Sequence, residues 1–193
     1  MNICVYAASS NALAPAFHVA AEELGRALGA EGHTLVFGGG AGGLMGACAR
    51  GVRKAGGRCV GVAPRSFDEP GVLLREGCEL VFTDTVSQRK EEMSRLSDAF
   101  IALPGGIGTY EEFFETLTLK QLGQHHKPMA VLNICGYYDP FLALLRHTAA
   151  EGFMSPGVMD LFKVCCTSEE ALTSIFSSHA PLTSVPSLSQ YSP

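Results

Sequence analysis

Short apolar runs alternate along the chain with longer segments in which apolar residues recur at helical spacing. Strands are predicted at 1–7, 33–37, 58–64, 78–84, 98–103, 127–133 and 162–167, because short apolar runs bounded by glycine and polar residues are typical of buried strands. Helices are predicted at 13–30, 109–123, 137–151 and 168–176. Two more helices are predicted, one that follows the glycines at 38–46 and ends near 56, and one that begins at 85. This alternation predicts an α/β fold, an open, mostly parallel sheet with helices on both faces.

Two segments fall outside this alternation. Residues 65–77 show no clear period, so we interpret them as a loop and a candidate lid over a site. Residues 177–193 carry no formal charge and are rich in serine and proline, which predicts a disordered tail. We therefore expect one domain at 1–176 followed by that tail, since the length suits a single core.

Composition narrows the classes of function. Charged residues make up only 17% of the chain, which suggests that part of the exterior is buried in an oligomer. The net charge of -5 argues against a general nucleic-acid binder. Seven cysteines without a C-x-x-C pair indicate reduced thiols and no zinc site. Because no leader or long apolar run is visible, we expect a cytoplasmic protein without a membrane span.

The stretch Leu103 to Glu112, LPGGIGTYEE, is the strongest candidate site. It lies between a predicted strand and a predicted helix, so its glycines form a strand-to-helix turn. Such a turn leaves backbone N–H groups without intrahelical partners and directs the positive end of the helix dipole to the same place. This arrangement predicts a phosphate site with two carboxylates, Glu111 and Glu112, beside it.

Those carboxylates have two interpretations. Thr109 and Glu112 have the spacing of a capping box, and acidic residues are favoured in a first helical turn in any case. Alternatively, a carboxylate beside a bound phosphate stabilises a carbon that becomes cationic, as in cleavage of a ribosyl C–N bond. The second interpretation is favoured because a bound phosphate would repel two glutamates placed there without a cation to face. Arg89 shares a helix face with apolar Met93 and Leu96, so its head should point inward, and an inward arginine needs an anion. Together with the backbone N–H groups, Arg89 is expected to hold the 5′-phosphate.

A second glycine-rich turn, GGGAGGLMG at 38–46, matches G-x-G-x-x-G. It follows the second strand and lacks the downstream acid that a dinucleotide site needs, so an NAD site is disfavoured. Close helix–sheet packing and a second phosphate or ribose contact remain as alternatives. No G-x-S-x-G, Walker lysine or H-E-x-x-H is present. His125 and His126 are interpreted as solvated loop residues.

Several segments together resemble one family. GGGAGGLMG, SQRKEEM, SDAFIALPGGIGTYEEFFE, LKQLGQHHKP and NICGYYDP are similar, in this order and spacing, to the LOG ("Lonely Guy") family of cytokinin riboside 5′-monophosphate phosphoribohydrolases, often labelled lysine decarboxylases. The resemblance runs from the first strand to about Gly157. The family's pattern, an Arg-Lys pair and then P-G-G-x-G-T-x-x-E, falls on Arg89, Lys90, Pro104, Gly105, Gly106, Gly108, Thr109 and Glu112.

The resemblance implies a Rossmann-like fold, a homodimer with its site at or near the interface, and no metal or cofactor. It implies that Arg89 and Glu112 are catalytic. Together with the turns described above, it predicts substrate or phosphate contacts at Ser9, Ser10, Gly39, Gly40, Gly43, Met45, Lys90, Pro104, Gly105, Gly106, Gly108, Thr109, Glu111 and Thr118.

The sequence thus predicts a hydrolase that cleaves the N-glycosidic bond of adenosine 5′-monophosphates, N6-modified ones above all, to free base and ribose 5-phosphate. Its expected partner is a small nucleoside monophosphate, with neither nucleic acid nor membrane. The alternative hypothesis is a non-catalytic nucleotide-binding or carrier protein that keeps the phosphate turn.

Overall fold

The computed structural model describes residues 1–177, and the tail predicted beyond Ser177 lies outside the described residues. The strands are β1 (Asn2–Tyr6), β2 (Thr34–Phe37), β3 (Arg58–Pro64), β4 (Glu79–Thr83), β5 (Ala99–Ala102), β6 (Met129–Leu132) and β7 (Lys163–Cys165). The helices are α1 (Pro15–Ala30), α2 (Gly43–Lys54), α3 (Val86–Leu96), α4 (Ile107–Gln121), α5 (Asp139–Ala150) and α6 (Ser168–Ser177). Short 3₁₀ turns occupy Arg65–Phe67, Ile134–Gly136 and Pro156–Leu161.

The strands form one sheet in the order β4-β3-β2-β1-β5-β6-β7, and every neighbouring pair is parallel. The predicted α/β fold is therefore confirmed, and the sheet is wholly parallel. The chain order reverses between β1 and β5, which pair from Ile3 with Ala99 to Tyr6 with Ala102. A crevice forms outside the carboxyl ends of the strands at such a switch point.

Two hydrophobic layers bury the faces of the sheet. One layer packs Leu24 of α1, Val52 of α2 and Ile175 of α6 against the sheet. The other packs Met93 of α3 and Phe113 of α4 on the opposite face, together with α5. Helices therefore cover both faces, as the near-continuous apolar strands require. Within residues 1–177, no helix is long and apolar enough to span a membrane.

The helix that carries Arg89 begins as predicted. Thr85 is the N-cap of α3, and its hydroxyl oxygen accepts the Gln88 N–H at 3.1 Å. The side-chain oxygen of Gln88 in turn accepts the Asp84 N–H at 3.0 Å. These bonds fix the first turn of α3, and Met93 then anchors the helix in the core with 1% of its surface exposed.

Candidate active site

A cavity of about 650 Å³ opens at the carboxyl ends of β1, β2 and β5, at the point where the strand order reverses. Five segments build it: the turns after these three strands with the start of α4, the crossover segment between β3 and β4, and the first turn of α3. It is lined by Ala7, Ala8, Ser9, Asn11, Gly38, Gly40, Gly42, Met45, Phe67, Gly71, Val72, Leu73, Arg89, Gly106, Ile107, Gly108, Thr109 and Glu112.

The N-terminus of α4 faces this cavity with free hydrogen-bond donors. Gly106 is the N-cap and has no side chain that could accept a bond, and the first helical bond is the one from the Tyr110 N–H to the Gly106 carbonyl. The backbone N–H groups of Gly106, Ile107, Gly108 and Thr109 have no acceptor within residues 1–177. Free donors at the positive end of a helix dipole form an anion site.

Arg89 and Glu112 form an ion pair in the cavity wall. The Nη2 group of Arg89 donates to Oε1 of Glu112, and only 13% and 10% of the two side chains are exposed. The Nε group of Arg89 is buried without a partner in the described part of the chain. Burial raises the pKa of the Glu112 carboxyl above its ordinary value, and the Arg89 guanidinium opposes part of that rise.

The capping-box interpretation of Glu112 is wrong. Because α4 begins at Ile107, Glu112 is the sixth residue of the helix and not the third, and no side chain caps this N-terminus. Glu111 differs from its neighbour: it is half exposed and pairs with Lys90, which also lies 3.1 Å from Glu115. The Glu111 carboxylate raises the pKa of Lys90. Glu112 alone of the two glutamates lines the cavity.

The first backbone N–H groups of α2 already have acceptors, unlike those at the start of α4. The Gly43 N–H donates to the Asn11 side-chain oxygen at 2.7 Å, and the Leu44 and Met45 N–H groups donate to the Ala8 carbonyl at 2.9 and 3.3 Å. Gly43 has a φ of 58°, and a Cβ there would clash with that carbonyl. These contacts support close packing, the first of the two alternatives. Gly40 and Met45 of the same turn line the cavity, so a phosphate or ribose contact there stays a prediction.

Comparison with known proteins decides the family. A family model described as "Possible lysine decarboxylase" matches residues 45–175. A protein of Oryza sativa subsp. japonica named "Probable cytokinin riboside 5′-monophosphate phosphoribohydrolase LOGL5" is 44% identical over 175 residues, which cover 88% of this chain and 69% of the relative. The chain belongs to the LOG family. The cytokinin riboside 5′-monophosphate phosphoribohydrolase of Rhodococcoides fascians, another LOG relative, is 45% identical over 156 residues, or 80% of this chain and 79% of that protein.

The LOG fold also occurs among solved structures of other proteins. The Moco carrier protein from Chlamydomonas reinhardtii is 25% identical and has a TM-score of 0.68, over 94% of this chain and 98% of that chain. The likeness extends along nearly all of both chains, whereas the sequence identity is much lower than that to the LOG relatives.

The crossover segment supplies the outer wall of the LOG-family cavity. Leu73 forms an antiparallel bridge with Gly40, in which the Ala41 N–H donates to the Val72 carbonyl at 2.9 Å and the Leu74 N–H to the Gly39 carbonyl at 2.8 Å. Leu73 is buried, whereas Phe67 and Val72 remain 41% exposed beside the cavity. The segment predicted to be a candidate lid thus lies at the site, and its mobility stays a prediction.

The predicted contact residues divide into two groups. Ser9, Gly40, Met45, Gly106, Gly108 and Thr109 line the cavity together with the two catalytic candidates Arg89 and Glu112. The remaining residues predicted to contact substrate lie outside its lining: Ser10, Gly39, Gly43, Lys90, Pro104, Gly105, Glu111 and Thr118. Pro104 and Gly105 are buried directly behind the α4 turn, and Thr118 is exposed on α4.

Sequence reasoning missed some lining residues and the partial burial of one histidine. Asn11, Ile107 and the individual crossover residues were not predicted to line the cavity, although a polar residue directly after the serine pair was a usable signal for Asn11. The interpretation of His125 as a solvated residue is wrong. Its ring is half-buried, its Nε2 lies 2.9 Å from the Thr116 carbonyl oxygen, and burial lowers its pKa.

Proposed function

We propose that this protein hydrolyses the N-glycosidic bond of N6-modified adenosine 5′-monophosphates, and of AMP, releasing the free base and ribose 5-phosphate. The observation that carries the proposal is the buried Arg89–Glu112 pair beside the unpaired N–H groups that open α4. The names of the LOG relatives support it. A phosphate site and a buried carboxylate in one cavity are the two features that this reaction needs.

The chemistry follows from the position of each group. The 5′-phosphate binds the free N–H groups of Gly106 to Thr109, which places the ribose toward Glu112. As the C1′–N bond lengthens, the electron pair leaves with the base and C1′ becomes cationic. The Glu112 carboxylate stabilises that charge and accepts the proton of the water that attacks C1′. Arg89 holds Glu112 ionised and oriented. The departing base takes up one proton from solvent, and Glu112 releases to solvent the proton that it accepted from the water, so one water is consumed without a net change in protons.

The test is to incubate the protein with isopentenyladenosine 5′-monophosphate and with AMP and to quantify base and ribose 5-phosphate by chromatography. We expect equal amounts of the two products, and much slower cleavage of adenosine, which lacks the phosphate. Lysine is a further substrate to test, since the family description names its decarboxylation. No base from either nucleotide, with folded protein present, would refute the proposal.

One specific observation favours a second candidate, a nucleotide-binding carrier: the fold is shared with the Moco carrier protein of Chlamydomonas reinhardtii. A carrier needs the phosphate site but not the buried carboxylate of Glu112. Tight binding of a phosphorylated nucleotide without turnover is the outcome that would favour it.

We also propose a homodimer whose interface includes α4, in a cytoplasmic setting that keeps the thiols reduced. Ile107, Phe114 and Leu122 are apolar yet exposed by 83%, 37% and 40%. They lie on one helical face, together with Glu111 and Thr118, which do not line the cavity of their own chain. A second copy packed on this face would bury the apolar residues and bring Glu111 and Thr118 toward a cavity at the interface.

Light scattering after size exclusion tests the dimer. Phe114→Glu places a charge on the proposed interface and should shift the mass to that of the monomer. Leu144→Glu is the matched control, because Leu144 is also an exposed apolar residue, 56% accessible, but lies on α5. An unchanged mass for Phe114→Glu, or a monomeric wild-type protein, would contradict the proposed interface.

A further inference from the structure

We propose that Tyr137 is a positioning residue for phosphate binding: its hydroxyl fixes the Gly105–Gly106 peptide so that the Gly106 N–H points into the cavity. This inference rests on the proposed function, in which that N–H group binds the 5′-phosphate. Tyr137 does not line the cavity, and neither the phosphate turn nor the ion pair includes it.

The evidence is a run of three successive carbonyls, each of which accepts a hydrogen bond from another segment of the protein. The Tyr138 hydroxyl donates to the Leu103 carbonyl at 2.7 Å, and the Ala8 N–H donates to the Pro104 carbonyl at 3.1 Å. The Tyr137 hydroxyl donates to the Gly105 carbonyl at 2.6 Å. In a trans peptide the N–H points opposite to the C=O, so a carbonyl held on the protein side directs the following N–H toward the cavity.

The Gly105–Gly106 peptide needs such a constraint more than its neighbours do. Neither flanking residue has a Cβ, so both orientations of this peptide are sterically accessible. Gly106 is exposed and lines the cavity, whereas Gly105 is buried. A flipped peptide would present a carbonyl oxygen to the phosphate and repel it. The Tyr137 hydroxyl selects the orientation that attracts the anion.

Tyr137 is held rigidly enough to perform this task. It follows a tight turn after β6 in which Cys135 and Gly136 both have positive φ, 52° and 70°. Asn133 closes the turn, because its side-chain oxygen accepts the Tyr138 N–H at 2.7 Å and its amide donates to Asp139 at 2.8 Å. A left-handed conformation is unfavourable for a cysteine and persists only where surrounding contacts impose it.

The experiment compares Tyr137→Phe with Tyr110→Phe. The Tyr110 hydroxyl donates to the Tyr137 hydroxyl at 3.3 Å and makes no contact with the turn, so its removal leaves the bond to Gly105 in place. Both variants lose one hydroxyl from the same aromatic cluster. Dissociation constants for inorganic phosphate, ribose 5-phosphate and adenosine are measured by calorimetry, and the KM and kcat for AMP are measured separately.

We expect Tyr137→Phe to weaken binding of phosphate and ribose 5-phosphate by about fivefold, the usual effect of losing one hydrogen bond, and to leave adenosine binding unchanged. The KM for AMP should rise by a similar factor while kcat changes less than twofold. Tyr110→Phe should match the wild-type protein in each measurement. A merely structural role would instead weaken all three ligands together.

The outcomes separate this inference from the proposed reaction. Equal phosphate affinity in Tyr137→Phe and the wild-type protein overturns the role of Tyr137, whether or not AMP is cleaved. A wild-type protein that binds neither phosphate nor ribose 5-phosphate overturns it as well. Selective weakening of the phosphorylated ligands, in a protein that does not cleave AMP, supports the role of Tyr137 and refutes the reaction.

Discussion

Replacing the Glu112 carboxylate with an amide is the most direct test of the proposed mechanism. Glu112→Gln preserves the size of the side chain and an oxygen that can accept the Arg89 hydrogen bond, but it removes the negative charge from the cavity wall. The free N–H groups at the start of α4 are untouched, so nucleotide binding should persist. The variant therefore separates stabilisation of the transition state from binding of the ground state.

The size of the effect follows from the burial of this carboxylate. With 10% of the side chain exposed, water screens the charge poorly. Opposite charges about 4 Å apart at an effective dielectric constant of about 20 attract each other by roughly 4 kcal/mol. Since each 1.36 kcal/mol changes a rate about tenfold, loss of this attraction in the transition state should lower kcat about 10³-fold. The expected change in the dissociation constant for the nucleotide is less than about threefold.

Base release is measured at saturating AMP, and nucleotide binding is measured by calorimetry on the same preparation. Glu115→Gln is the matched control: Glu115 lies on α4 within one turn of Glu112, is exposed, and pairs with Lys90 at 3.1 Å. It should retain wild-type turnover. A Glu112→Gln variant whose kcat stays within tenfold of the wild-type value would refute the catalytic assignment of Glu112.

Three further predictions use other features of the structure. Because burial raises the pKa of Glu112 and the ionised form is the active one, kcat/KM should fall with decreasing pH in a limb that lies above pH 4.5. In Gly38→Ala, the added Cβ would lie 2.7 Å from the Arg89 Nη2 atom, so the guanidinium should be displaced and turnover should fall at least about tenfold. Lys120→Met should raise the free energy of unfolding at pH 7, measured by urea denaturation, by roughly 2 kcal/mol. The reason is that burial, with a smaller contribution from the Lys163 charge, lowers the pKa of Lys120 to about 8.

Each of these predictions has a control or an outcome that would contradict it. In Glu112→Gln, the kcat/KM of the residual activity should no longer fall with decreasing pH. If the fall is unchanged, it is caused by the titration of a group other than Glu112. Gly157→Ala is the control for Gly38→Ala, since a Cβ there meets nothing nearer than 3.7 Å. The folded state of the wild-type protein favours neutral Lys120, so stability should rise as pH increases from about 8 toward 10.5. That rise should disappear in Lys120→Met, and its persistence would contradict the assignment.

Local patterns were sufficient to predict the fold and the main elements of the site. All seven strands and six helices were predicted, because the helical period and the apolar runs are properties of neighbouring residues. The inward orientation of Arg89 followed from its spacing to Met93, which is buried in the core. The strand-to-helix turn at 103–112 followed from its glycines and from the apolar run before them.

The errors arose where the structure depends on long-range contacts or on glycines, which have no side chain to mark their role. The start of α4 was placed at Thr109 because Gly106, the actual N-cap, has no side chain to mark it. The wall formed by the crossover segment depends on the bridge between Leu73 and Gly40, which no local pattern encodes. His125 was assigned to solvent because its partner, the Thr116 carbonyl, is nine positions away on another element.

The two glycine-rich turns differ in the number of free N–H groups, so the two sides of the cavity differ in their attraction for an anion. The N–H groups at the start of α2 are occupied by the Asn11 side chain and the Ala8 carbonyl, whereas those at the start of α4 are free. The free N–H groups and Arg89, which pairs with Glu112, both lie on the α4 side of the cavity, so the proposed function directs the phosphate of a nucleotide to that side. In the proposed function the uncharged base would then lie toward Met45 and the crossover residues Phe67 and Val72, which also line the cavity. Variation at these three positions should change which bases are accepted while the phosphate end stays the same.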